Sequence, residues 1–210
     1  MRKISFFIAL FIAGKFTAMA QPDSAARLNP MLAPSKVDFD AYETLSKEVK
    51  EYRKDRLVNL ATFLEYAKNK NTVILDTRST EMFNRKHVKG AIHLNFSDFT
   101  QSNLAALIPS NTTRILIYCN NNFDNDPIRF ATKSYVPMPT YIKDKRGRIV
   151  RLIPALAKKE ITLALNIPTF INLYGYGYRN VYELADLVPV FFGGGIEFEG
   201  TDVRSKVAAN

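Results

Sequence analysis

The sequence predicts an α/β domain with a central, mostly parallel sheet flanked by helices. Three observations carry that expectation. Short apolar, β-branched runs at Thr72–Leu75, Ile115–Tyr118 and Asn180–Leu184 have the length and composition of buried strands. Helical patterns lie between these runs, the alternation that builds a parallel sheet. Cys119, the only cysteine, follows directly on the second run, at the strand's carboxyl end, where open α/β sheets place ligands.

The chain has 210 residues and an ordinary apolar share, enough for one domain with extras. Residues 1–20 read as an export signal. Arg2 and Lys3 open it, Ile4 to Ala13 are apolar apart from Ser5, and Ala18-Met-Ala20 supplies small residues for cleavage. The mature chain is then expected to begin at Gln21 in the periplasm or outside the cell. An uncleaved anchor is the alternative, although the run is shorter than the ~20 residues a span needs. No cysteine follows Ala20 to take a lipid, and no other stretch is apolar enough to cross a bilayer. Losing Arg2, Lys3 and Lys15 lowers the formal charge from +9 to +6. That surplus reads as a solvated basic surface able to attract anions. Nucleic acid is not expected as a partner, because no basic-aromatic motif appears.

Residues 21–56 are expected to form a leader and an N-terminal helix. The leader, Gln21–Lys36, carries three prolines. From Phe39 to Arg53, Tyr42, Leu45, Val49 and Tyr52 fall on one side of a helix, opposite Glu43, Lys47 and Lys50. The domain proper is expected over 57–205. Leu57–Leu60 reads as a short strand and Asn59 as a cap for a helix over Ala61–Asn69. After the strand Thr72–Leu75, Asp76–Ser79 form a loop and Glu81–Lys86 a short helix. Ala91–Leu94 return as a strand, Phe96–Gln101 turn, and Leu104–Ile108 make a short helix stopped by Pro109.

Beyond Cys119 the loop Asn120-Asn121-Asn122-Phe123-Asp124-Asn125 is rich in residues that tolerate a left-handed backbone. Residues 127–156 are irregular, broken by Pro137, Pro139 and Pro154. Within them Tyr141–Ile153 reads as two strands joined by an Asp-Lys-Arg-Gly turn. Its Lys143, Lys145, Arg146 and Arg148 offer a basic surface to a protein partner, or decorate a tolerated surface elaboration. Ala157–Leu165 is helical by pattern. Thr169–Tyr176 continues as helix and ends at Gly175 and Gly177.

A lone cysteine cannot form an internal disulfide, so Cys119 is a reactive thiol or an inert buried one. A strand end facing converging N–H groups favours the thiolate. Other chemistries fare worse. A cysteine phosphatase needs Arg six places after the cysteine, and Asn125 stands there. No nucleophile elbow surrounds any serine. His87 and His93 lack ligand spacing with Cys119, so no metal or cofactor is expected.

Asp76, Arg78, Glu81, His87, Gly90-Ala91-Ile92 and Cys119 stand in an order that resembles the rhodanese-like family. The family shows a strand ending in Asp-x-Arg, a Glu shortly after, a His-x-x-Gly-Ala-Ile segment, and a strand ending in the active cysteine. The resemblance implies an exported, single-domain sulfurtransferase. Cys119 is its catalytic residue and Asn120, Asn121, Asn122, Phe123, Asp124 and Asn125 its substrate loop. Asp76, Arg78 and Glu81 give structural support, with Arg78 paired to Glu81. The implied partners are a small sulfur-containing anion, such as thiosulfate, and a thiol acceptor. Many active members carry Gly three places and Arg four places after the cysteine. Here Asn122 and Phe123 occupy those positions and Asp124 follows. A carboxylate beside the thiol opposes an anionic donor, so a weakly active binding or thiol-sensing module is the alternative.

Overall fold

In the computed structural model, residues 32–135, 140–152, 161–190 and 195–203 are described. The expected signal and most of the leader fall outside them. Leu32–Asp38 has no regular structure and belongs to a separate N-terminal unit; a compact unit begins at Phe39.

The first helix, α1, runs Phe39–Tyr52. Its Val49 is buried in the core and Leu45 and Tyr52 pack against it, while the charged side stays in water. A 3-10 turn, Arg53–Arg56, leads into strand β1, Leu57–Val58. Helix α2, Leu60–Ala67, starts one residue before the expected Ala61 and takes Leu60 from the expected strand, because the Asn59 side chain caps it by accepting the Thr62 N–H at 2.9 Å. Strand β2 is Thr72–Asp76 and helix α3 Thr80–Arg85, capped by Ser79. Strands β3 (His87–Val88) and β4 (Ala91–His93) follow. Helix α4, Gln101–Leu107, begins three residues before the expected one because Thr100 caps it. Strand β5 is Arg114–Ile117.

After β5 a 3-10 turn, Asn120–Asn122, precedes the two-residue strand β6, Phe123–Asp124. Strand β7 is Ser134–Tyr135. The expected hairpin is present as β8 (Thr140–Lys143) and β9 (Ile149–Leu152), closed by Gly147 at φ 75°. The helix expected over Ala157–Leu165 is not found in its described part. Ile161–Thr162 is strand β10, antiparallel to β7, and the backbone reaches Ala164 without helical turns. Apolar spacing alone could not separate a short buried helix from an extended return. Helix α5 is Asn166–Gly175, so Pro168 lies in its first turn. Strands β11 (Val181–Leu184), β12 (Val188–Pro189) and β13 (Phe198–Glu199) complete the described elements.

Five strands form one parallel sheet in the order β1-β11-β5-β2-β4. Alternation along β5 divides its side chains between two packed layers. Ile115 and Ile117 join Leu75, Phe170, Leu173 and Leu104 in one. Leu116 and Tyr118 join Phe63, Phe123, Phe130 and Leu184 in the other. With both faces covered, central strands read as continuous apolar runs. Strand β5 lies third of five, so Cys119 emerges at the middle of the sheet's carboxyl edge.

Candidate functional site

Cys119 sits two residues beyond the end of β5 and is 1% exposed. Its N–H donates to Asn122 Oδ1 at 2.8 Å, and Asn122 N–H returns to the Cys119 carbonyl at 3.0 Å. The Asn122 amide also donates to the Leu184 carbonyl at 2.7 Å, tying the turn to β11. This one side chain therefore sets the curl of Asn120–Asn122. Neighbouring Asn121 accepts the Lys133 N–H at 3.1 Å. The sulfur accepts the Leu165 N–H at 3.3 Å, from 46 residues further along the chain.

The loop expected as a unit of six divides in two. Asn120, Asn121 and Asn122 form the turn beside the sulfur. Phe123 is 1% exposed and packs its ring on Tyr118, Phe130 and Phe198. It is part of the core. Asp124 pairs with Pro189 in the β6–β12 ladder and is exposed, its carboxylate accepting the Asn125 N–H at 2.7 Å. Asn125 takes the left-handed conformation at φ 67° that Asn tolerates.

Beneath the turn lies a buried polar network. Asp76 is 0% and Arg78 3% exposed. Arg78 Nε donates to both Asp76 oxygens at 3.0 Å and Nη2 to Oδ2 at 2.7 Å. Its remaining N–H groups reach Asn120 Oδ1 at 3.2 Å, the Arg129 carbonyl at 3.1 Å and the Lys86 carbonyl at 2.7 Å. One guanidinium thus binds the end of β2, the cysteine turn and the segment after it. Burial opposes its charge, but the hydrogen bond and charge of Asp76 outweigh burial and hold Arg78 above its ordinary pKa. Burial, then the Asp76 charge, pushes the Tyr118 phenol well above 10, so its hydroxyl keeps its proton and donates it to Asp76. Glu81 does not pair with Arg78 as expected. It is exposed on the first turn of α3, 3.8 Å from Arg85. His87 Nδ1 lies 2.7 Å from the Phe83 carbonyl, and His93 Nε2 lies 2.9 Å from the Arg78 carbonyl. Among the described residues no group of three or more His, Cys, Asp or Glu could hold a metal, and no helix is long and apolar enough to cross a membrane.

A second set of charges fastens the segments around this network. Asp126 meets Lys86 at 2.9 Å and Arg129 at 3.3 Å, while Asp202 meets Arg129 at 3.0 Å and Arg85 at 3.1 Å. Burial raises the Asp126 pKa, but Lys86 and then Arg129 overcome it and hold the carboxyl below its ordinary value. Asp202 is lowered chiefly by Arg85, and Glu199 chiefly by the Gly90 N–H. Depressed folded values stabilise the fold above the unfolded values, and that contribution is lost as pH falls through the folded ones. The urea midpoint is therefore expected to fall between about pH 5 and about pH 2. A flat profile over that range would contradict the ion-pair assignments.

A cleft of about 330 Å³ opens beside the cysteine turn, lined by Arg53, Asn121, Asn122, Ala164, Asn166 and Glu183 among others. Glu183 on β11 is 2% exposed. It receives Arg53 Nη2 at 2.6 Å and also the Asn166 side-chain amide. Sequence reading missed this group. A signal existed in Val181-Tyr-Glu-Leu184, where strand alternation puts Glu183 on the buried side with Val181. The Leu165 contact left no such signal, since a backbone N–H carries no residue-type signature.

The family model for the rhodanese-like domain matches residues 59–136. No curated protein matches the chain. Among solved structures, the crystal structure of the BH2092 protein from Bacillus halodurans is similar at 15% identity, covering 78% of this chain and 88% of that one. Its TM-score is 0.41, too low for any conclusion to rest on it.

Proposed function

Taking residues 59–136 as a rhodanese-like domain, we propose that the protein is a sulfurtransferase whose nucleophile is Cys119. The supporting observation is the placement of that sulfur. It stands at the carboxyl edge of the central strand, within the curl of Asn120–Asn122, and accepts an N–H from Leu165. An N–H aimed at sulfur complements the negative charge a nucleophilic thiolate carries.

The donor is a small sulfane anion such as thiosulfate. The Cys119 thiolate attacks the outer sulfur, a new S–S bond forms, and sulfite leaves with the electron pair of the broken one. A thiol or cyanide acceptor then takes the outer sulfur and returns the Cys119 thiolate. With Cys119 1% exposed, a donor reaches the sulfur only after side chains of the cleft wall are displaced. Mass spectrometry after incubation with thiosulfate is expected to find one extra sulfur atom on Cys119. Absence of that adduct at every donor concentration would remove the enzymatic reading in favour of a binding or thiol-sensing module.

The charge of Asp124 bears little on the rate. Its carboxylate is exposed and bonded to its own loop, where water and salt screen its effect on an anionic donor. Asp124→Asn is therefore expected to change thiosulfate transfer by less than about twofold at ordinary ionic strength. A large rise would show that the carboxylate faces the donor.

A further inference from the structure

Leu165 N–H, at 3.3 Å, is a polar contact to the Cys119 sulfur from outside the cysteine turn. Its position is tied to the residue that follows it. The next residue, Asn166, opens α5 and is 7% exposed. Its side-chain amide donates to Glu183 Oε1, and its Oδ1 has no hydrogen-bond partner among the described residues. A buried acceptor without a partner is costly. Asn166 is thus held where only half of its amide is satisfied, and the satisfied half is the tie to Glu183. Glu183 is itself fixed on β11, beside β5, and gripped through both oxygens by Arg53 from the turn after α1. Two rigid supports therefore converge on the residue that adjoins the sulfur's N–H donor.

Resting on the sulfurtransferase reading, we propose that Glu183 and Asn166 are positioning residues. They hold the Leu165 N–H on the Cys119 sulfur, and Arg53 holds Glu183. The sulfur cradle is then built from two places: the turn Asn120–Asn122, and the start of α5. The second place compensates for a turn without a basic residue. During attack, negative charge moves from the cysteine sulfur onto the leaving sulfite. When the acceptor takes the outer sulfur, charge returns to Cys119, and a fixed N–H is most useful at that moment because it need not reorganise. Neither Glu183 nor Asn166 touches the sulfur, so their effect passes through the Leu165 backbone.

Three variants test this. Asn166→Ala removes the donor to Glu183, and Glu183→Leu removes the acceptor. Glu183→Gln keeps an acceptor for Asn166 and serves as the conservative control. Amide hydrogen exchange at Leu165, followed by NMR, reads the position of the N–H whether or not the protein turns over. Asn166→Ala and Glu183→Leu are expected to speed that exchange and to lower sulfur transfer, each by about tenfold, the worth of one hydrogen bond to a charged group. Glu183→Gln should stay within about threefold of wild type in both measurements. The proposal is overturned if Leu165 exchange is unchanged in the first two variants, or if exchange quickens while transfer holds. It is also overturned if transfer falls equally in all three, the pattern of a general loss of structure. Wild type without any transfer would instead fail the sulfurtransferase reading, and the positioning role with it.

Discussion

Replacing Arg78 with Ala is expected to cost about 3–5 kcal/mol, the effect of stranding a buried charge. Asp76 is 0% exposed and would keep only the Tyr118 hydroxyl and the Arg78 backbone N–H as donors. Asn120 Oδ1 and the carbonyls of Lys86 and Arg129 would lose their bonds at the same time. Against a usual domain stability of about 5–15 kcal/mol, that loss removes a large part of the margin. Arg78→Lys keeps a charge but not the planar fork that reaches Asp76, Asn120 and two carbonyls together, so it should recover only a fraction. The double variant Asp76→Leu, Arg78→Met removes both charges and is expected to be more stable than Arg78→Ala alone. Urea unfolding checks all three. If Arg78→Ala lies within about 1 kcal/mol of wild type, the stranded-charge argument is wrong.

That network also shows how far sequence reading reaches. The family resemblance marked Asp76 and Arg78 as a support, and the structure places them under the cysteine turn. The partner was misassigned, because Glu81 three places on is an equally plausible carboxylate on paper. Burial decides the matter: Arg78 is 3% exposed, and only a carboxylate inside the strand end can follow it there. Strands β2, β5 and β11 were legible because each is buried on both faces and reads as an unbroken apolar run. Asn59, predicted as a cap, fills that role for a local reason, a side-chain oxygen three residues from its N–H partner.

What could not be read depends on distance along the chain. Phe123 and Asp124 belong to a two-residue ladder with β12, some sixty positions away, so their departure from the loop was invisible locally. The same holds for β10, whose partner β7 lies on the other side of the β8–β9 hairpin along the chain, and for Leu165 over the sulfur. Each is fixed by non-local hydrogen bonds from the backbone, which leave little trace in composition or periodicity.

Cys119→Ser is expected to reduce sulfur transfer to the uncatalysed background while leaving the fold intact. The serine hydroxyl is a far weaker nucleophile than a thiolate, and its oxygen cannot form the S–S bond that stores the transferred atom. A loss of at least about 10³-fold follows, because no other group can take over the covalent step. Stability should hardly move. The hydroxyl is smaller than the thiol and can accept the Leu165 N–H that the sulfur accepts at 3.3 Å. It can also donate its own proton. The bonds from Cys119 N–H to Asn122 Oδ1 and from Asn122 N–H to the Cys119 carbonyl do not use the Cys119 sulfur. The measurement is sulfite release from thiosulfate with cyanide as acceptor, beside a urea curve for the same preparation. Full inactivity with an unchanged urea midpoint assigns the chemistry to the sulfur. A variant that unfolds early would place Cys119 in the core as an inert thiol. Retention of even a tenth of the wild-type rate would mean that sulfur passes through the protein by a route other than Cys119.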